Sequence, residues 1–330
     1  MAAPTGTLQT FQAIGNREDL SDIINDISPT DTPFYSNVGR GKASAHLHEW
    51  QTDALASPSA TNAVIEGDEA TTNTAVPTTR FANYTQILTK VPRVSKTQRE
   101  VSSAGRRDEL SYQIAKMGRE IKRDLESSLC SRNDANAGDG ASAALMAGLG
   151  AWLFGNVVKP TANSTGTTAV ITSGAPTTPV SAGTAGTFIE SDLKACIKLC
   201  WDDGGDPGVV MVSAFNKMAA SGFAGIGTQF RPADPNGSMA PGSIIGAADL
   251  YVSDFGTHQI VANRFIQTTP VGSEVYVLDL EYWSVDFLYG FTQEPLAKTG
   301  LSDRVMISTQ VTLAALNPNA SGKIGSVTVS

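Results

Sequence analysis

Between Ser102 and Asn133, apolar residues recur at steps of three or four. Leu110, Ile114, Met117, Ile121, Leu125 and Leu129 form one stripe, and charges fill the other faces. The spacing predicts a single long amphipathic helix over residues 104–132, about 43 Å at 1.5 Å per residue. Ser102 or Ser103 is placed to cap its start, and Asn133 with the Gly138 region to end it. Lys122 and Glu126 have the spacing of an i,i+4 ion pair.

The pattern changes on either side. Upstream, Leu20, Ile23, Ile24 and Ile27 suggest a short helix over Glu18–Ile27 that stops at Ser28-Pro29. Pro29 and Pro33 then hold the chain extended, and Phe34 and Tyr35 need burial against something. From Ala45 to Val94 two strand-like stretches, AHLHEWQTDAL and RFANYTQILTKVPRV, flank a polar segment, Ala56–Thr79, that carries Glu66, Asp68 and Glu69. The returning strand alternates poorly: Phe81, Ile87 and Val91 share a face with Asn83, Thr85 and Thr89. A ribbon without a clean apolar face is not specified by its own fold, so it is expected to be covered by a neighbouring copy or to be a disordered loop.

Downstream, residues 160–187 are an uncharged Thr/Ala/Gly/Ser/Pro insert, expected as a surface hairpin or mobile flap. From 187 the pattern is α/β. Thr187 and Glu190 are spaced as a capping box for a helix carrying Leu193, Ile197 and Leu199. A strand in PGVVMVS and a helix in NKMAASGFAG come next. Strands follow at Leu250–Ser253, Gln259–Ala262, Glu274–Leu278 and Trp283–Leu288, then a long one at Asp303–Leu316.

Composition narrows the function. Of the 330 residues 41% are hydrophobic and only 17% charged, which suits a surface covered by neighbours rather than by water. The net charge of −8 and the lack of a dense basic block argue against tight sequence-independent nucleic-acid binding. Three cysteines fit a reducing compartment, and the N-terminal residues lack a secretion-signal pattern. Gly140–Val158 carries no charge, but its glycines and alanines mark a buried segment rather than a membrane span.

Candidate chemistry is sparse. His46-x-His48-Glu49 could offer two imidazoles to one ion from alternate strand positions, but ordinary strand positions are favoured. Cys196 and Cys200 share a helical face and read as buried thiols. Ser191-x-x-Lys194 matches an acyl-transfer pattern without its companion motifs. No glycine-rich stretch follows a strand and opens a helix as a phosphate loop must. No active site, metal or cofactor is expected, and the chain reads as a non-enzyme.

The order of short motifs is more telling. DISPTDTPFYSNVG, HEWQTDAL, the long helix, WDDGGDP, FRPADP, SDFGTHQIVANRF and LDLEYWSVDFLYGF…LAKTGLSDR follow one another over about 300 residues. In that order they resemble the major capsid (major head) proteins of tailed bacteriophages, with the HK97-like fold. The resemblance implies an α+β chain with an N-terminal arm (1–44), an extended loop (45–97), a peripheral domain (98–150 and 291–330) containing a spine helix, an insert (151–187) and an axial domain (188–290). It implies self-assembly into pentamers and hexamers of an icosahedral head around double-stranded DNA, in the virion, after assembly in the bacterial cytoplasm.

A separate scaffolding protein, a portal and decoration proteins are the implied partners, with no membrane involved. Contacts between copies are expected from Pro29, Pro33, Phe34 and Tyr35 of the arm and from Trp50, Glu66, Asp68 and Glu69 of the loop. On the helix they are expected from Arg106, Arg107, Lys116, Arg119 and Arg123, unless these simply form a solvated face. No lysine lies between Lys42 and Lys90, so lysine cross-linking through the loop is not expected. The alternatives are an encapsulin-like nanocompartment shell and, in another class, a β-rich adhesin module.

Overall fold

A computed structural model describes residues 28–69, 75–101, 107–160, 170–178, 184–223, 249–268 and 272–328. The expected helix at Glu18–Ile27, together with Ser102, Ser103 and Arg106, lies outside the described residues.

The chain enters through α1 (Pro33–Asn37) and β1 (Gly39–Lys42), then forms a hairpin of β2 (Leu47–Thr52) and β3 (Thr79–Tyr84). Next come β4 (Gln86–Lys90), β5 (Arg93–Ser95), α2 (Lys96–Glu100) and the spine helix α3 (Glu109–Leu129). The middle of the chain holds α4 (Leu149–Trp152), β6 (Asn156–Val158) and a small hairpin of β7 (Ile171–Thr172) and β8 (Ala175–Pro176). It continues through α5 (Glu190–Asp202), β9 (Val209–Val212), α6 (Ala214–Ser221), β10 (Leu250–Ser253), β11 (Gly256–Ala262) and β12 (Ser273–Leu278). Two long strands, β13 (Trp283–Pro295) and β14 (Ser302–Ala315), precede β15 (Gly322–Val327).

These strands make two main sheets. The first runs β1-β13-β14-β4, with β5 also on β14; the second runs β10-β11-β9-β12-β15-β6. One apolar cluster joins the first sheet, the end of α3 and α4, around Leu125, Leu129, Trp152, Trp283 and Leu313. The other seats α5 and α6 on the second sheet, through Leu193, Cys196, Ile197, Val210 and Val277. Alternation on β9 explains how one sheet serves both: Met211 belongs to the first cluster while Val210 and Val212 belong to the second.

Several expectations need correction. The spine helix is shorter than the expected span of 104–132, because the Asp108 carboxylate accepts the N–H groups of Leu110 and Ser111 and so sets its start. It ends at Cys130 rather than near Asn133. Only Ile121, Leu125 and Leu129 of the stripe are buried; Leu110, Ile114 and Met117 are half-buried. The cap of α5 is Ile189, without a side-chain bond, and not Thr187; Glu190 instead binds Lys194 and Tyr251. The expected boundary at residue 290 falls inside β13, and Gly322–Val327, expected in the peripheral domain, pairs with β12 and β6 in the second sheet.

The poor alternation of the returning strand has a physical cause. The chain changes partners at Thr85, since β3 pairs with β2 whereas β4 pairs with β14. Asn83 and Thr85 are buried at that switch and satisfied: Asn83 donates to Leu313 O (2.7 Å) and accepts from Ala147 N (2.9 Å), and Gln310 donates to Thr85 Oγ1 (2.7 Å).

Candidate assembly surfaces

The arm is anchored by its own chain. Pro33 occupies the first helical position of α1, and Thr32 makes no side-chain cap. The cap comes from another helix: Glu126 of α3 accepts Phe34 N and Tyr35 N, each at 2.8 Å, and Asn263 Nδ2 at 2.7 Å. Burial pushes the Glu126 carboxyl above its ordinary range, while these three donors pull the other way. Glu126 therefore faces inward and does not make the i,i+4 pair expected with Lys122. Phe34 packs edge-on against Trp283, Tyr35 packs against Phe287, and the Arg40 guanidinium lies over the Tyr35 ring.

Phe34 and Tyr35 were expected at contacts between copies. Their side chains are buried in the chain's own core, so they have no surface to offer another copy. Trp50 is likewise committed within the chain, donating to Ala315 O (2.8 Å) and packing on Trp152. Pro29 and Pro33 are partly exposed.

The root of the hairpin is held to the first sheet at His48, whose Nε2 lies 2.8 Å from Asp286 Oδ2. Burial alone would raise the Asp286 carboxyl, but His48, the Ser284 hydroxyl and the Gly41 N–H hold it below the usual carboxylate range. Gly41 is required there, because a Cβ would collide with the Asp286 carboxylate. His46 bonds Thr85 and Ala137 O. The two histidines thus serve separate structural contacts, and among the described residues no cluster of three His, Cys, Asp or Glu is placed to hold a metal. Cys196 and Cys200 are buried against the second sheet, and Lys194 pairs with Glu190 rather than with Ser191.

Beyond its root the hairpin becomes a finger. Residues 53–69 and 75–80 are all exposed. Leu55 is 100% exposed, Val64 71%, Ile65 80% and Val76 79%. Glu66, Asp68 and Glu69 are exposed at a turn closed by Asp68 N donating to Ile65 O and carried by Gly67 at φ 87°. Between Trp50 and Arg80 the sequence has four acids, counting Asp53, and no lysine or arginine.

Arg107, just before the spine helix, and Lys116 and Arg119 on it are exposed to solvent. Arg123 is half-buried over the Phe265 ring. Lys90 reaches Asp124 (2.8 Å) and Glu120, pinning β4 to the helix. At the helix start, Arg99 bridges Asp108 (3.5 Å) and Asp303 (2.5 Å), and Lys298 also reaches Asp303. At its other end, Arg132 and Lys323 share the buried Glu274, at 3.3 and 3.2 Å, and tie the helix to the second sheet. Sequence patterning gave no signal for Glu126, Asp286 or Glu274, because each is matched by partners 49 to 238 positions away that periodicity does not join.

A family model described as "SU10 major capsid protein" matches residues 3–328. The major capsid protein of Escherichia phage Phieco32 is 31% identical over 355 residues, covering 98% of this chain and 97% of that protein. The chain belongs to the SU10 major capsid protein family. It is the major capsid protein of a tailed phage and a structural protein of the virion.

Solved shells share its fold at low identity. A protein of Microbacterium phage Oxtober96 superposes with a TM-score of 0.57 at 14% identity, over 95% of this chain and 96% of that one. The holo-SrpI encapsulin complex from Synechococcus elongatus PCC 7942 gives 0.55 at 11%, over 96% and 93%. The SU10-type chain thus has the HK97-like fold. Its likeness to the encapsulin is one of fold alone, whereas the likeness to a phage capsid protein extends to sequence. No described helix of this family member is long and apolar enough to cross a membrane. Capsid proteins of this kind assemble with themselves into an icosahedral shell.

Proposed function

We propose that copies of this chain close into pentamers and hexamers whose seams are spanned by the finger. The finger of one copy lies on the exposed face of a neighbour's spine helix, where Arg107, Lys116 and Arg119 meet Glu66, Asp68 and Glu69, and where half-buried Leu110, Ile114 and Met117 meet Leu55, Val64, Ile65 and Val76. One observation carries this reading. The described residues of the outer finger, 53–69 and 75–79, are exposed throughout, yet carry four aliphatic side chains in water and a charge of a single sign. An isolated ribbon of this kind is unstable, and both of its features are satisfied on a surface that is apolar and basic.

Head-to-tail contacts that close give rings, and many weak finger contacts acting together make the shell durable. The acidic balance suits a container that encloses double-stranded DNA without gripping it. Assembly in the host cytoplasm with a separate scaffolding protein, closure on a portal, and outer decoration proteins complete the proposal. Deleting Ser57–Thr74 is expected to leave folded, soluble subunits that make no closed shells in electron micrographs. Shells of normal size from that variant would overturn the reading.

A further inference from the structure

The outer edge of the finger's root is not open. The hairpin β7–β8, from the insert, turns through Ser173 and Gly174 at φ 52° and 86°. Two positive φ values in succession are what a two-residue type I′ hairpin needs. The hairpin is closed by Thr177 N donating to Val170 O at 3.1 Å. Its turn is pressed on β3, where Ala82 N donates to Gly174 O at 2.8 Å. A Cβ on Gly174 would stand 2.7 Å from Arg80 O and 3.2 Å from Phe81 Cα, so only glycine permits the approach. The other leg holds the segment after the spine helix: Ala135 N donates to Pro176 O at 2.7 Å, and Ala175 and Pro176 are buried.

We infer that residues 170–178 are a brace, tying the finger's root to the end of the spine helix and fixing the direction in which the finger leaves the body. The described residues of the outer finger are exposed throughout, so its direction is set at the root. Trp50 and Asn83 hold the root from the core side, and Gly174 holds its free edge. Residues 53–80 give about fourteen residues per arm, a reach of at most about 46 Å if extended. Over that reach a tilt of about 10° at the root moves the tip by up to about 8 Å, enough to miss a neighbour's side chains. The brace is therefore preorganisation: every copy presents its finger at one pitch before it meets another. The consequence for assembly rests on the proposed role of the finger, but the brace itself does not.

Residue-resolved hydrogen exchange on the full wild-type chain, as free subunits, tests the brace directly. The Ala82 and Ala135 amides are expected to exchange together and at least about tenfold more slowly than finger amides such as Ala63. Ala82 exchanging as fast as the finger would overturn the inference. In Gly174→Val, the Ala82 amide is expected to lose about tenfold in protection while amides of β12 and β14 keep theirs, and shells are expected to become mixed in size or open. Loss of Ala82 protection with uniform shells would overturn the link to assembly. If Gly174→Val fails to fold, Gly174→Asn, which tolerates the positive φ but keeps the added Cβ, takes its place and is read by the same outcomes. Failure of the brace shows at Ala82 in free subunits, whereas failure of the finger's proposed role shows as normal shells from the Ser57–Thr74 deletion.

Discussion

Glu126 Oε1 accepts the backbone N–H of Phe34 at 2.8 Å across 92 positions of sequence, and the same carboxylate also takes Tyr35 N and Asn263. One side chain thereby joins the arm, the spine helix and the loop after β11. Replacing it by glutamine leaves one oxygen for three donors and turns an amide N–H toward an N–H. Glu126→Gln is expected to cost about 1–3 kcal/mol in denaturant unfolding, the range for stranding a buried donor, and to speed protease cleavage near Phe34.

The same residue makes a prediction about pH. Burial raises the Glu126 carboxyl in the folded chain, so the folded state favours its protonated form. Its contribution to stability is fully present below the ordinary glutamate range and is lost as pH rises through the folded value. The stability difference between wild type and Glu126→Gln is therefore expected to shrink from about pH 4.5 toward pH 8. A difference that grows over that interval would show that the three donors outweigh desolvation.

Asp286 runs the opposite way. Despite its burial, His48, Ser284 and the Gly41 N–H hold its carboxyl low. Its contribution is present above the ordinary aspartate value and lost as pH falls through the depressed one. Wild type is expected to lose stability below about pH 4 in a step that Asp286→Asn lacks, read by melts across an acid series. Gly41→Ala, which drives a methyl into the carboxylate, is expected to cost about 1–3 kcal/mol at neutral pH.

Gly118 sits in the middle of α3 with nothing within 4 Å of where a Cβ would be. No close approach requires glycine there, and glycine weakens a helix interior by about 0.5–1 kcal/mol relative to alanine. Gly118→Ala is expected to raise stability by that amount in denaturant melts. If shells form less readily while the subunit becomes more stable, the glycine serves bending of the spine during assembly.

What was legible in the chain follows from the range of each interaction. The spine helix and most strands of the second half could be read because their signals are local: a stripe at helical spacing through Leu125 and Leu129, and apolar runs such as Val209–Val212. The start of the helix was misplaced because the stripe, which begins at Leu110, does not mark the cap, and it is Asp108 that satisfies the first N–H groups. The arm's aromatics were recognised as needing burial, but not by what. Their partners, Trp283 and Glu126, come from segments that no periodicity links to residues 34 and 35. The membership of β15 in the second sheet was hidden for the same reason, since strand order is a tertiary fact. The finger was legible from what it lacks, a clean apolar face and any lysine.

That single-sign charge gives the sharpest test of how copies meet. Exposed ion pairs contribute only about 0.2–1 kcal/mol each, so one substitution in Glu66, Asp68 or Glu69 is expected to leave assembly nearly unchanged. In the proposed docking, the triple change to lysine would set three like charges against Arg107, Lys116 and Arg119 of the neighbour. It is expected to abolish closed shells at low salt and to be partly relieved at high salt, because screening shortens the reach of exposed charges to within a few ångströms. Joining it to Arg107→Glu, Lys116→Glu and Arg119→Glu restores opposite signs, so shells are expected to return in the six-fold variant, counted by light scattering and electron microscopy. A spine reversal that fails to rescue, with folded subunits, would mean that the acidic fingertip meets some other surface of its neighbour.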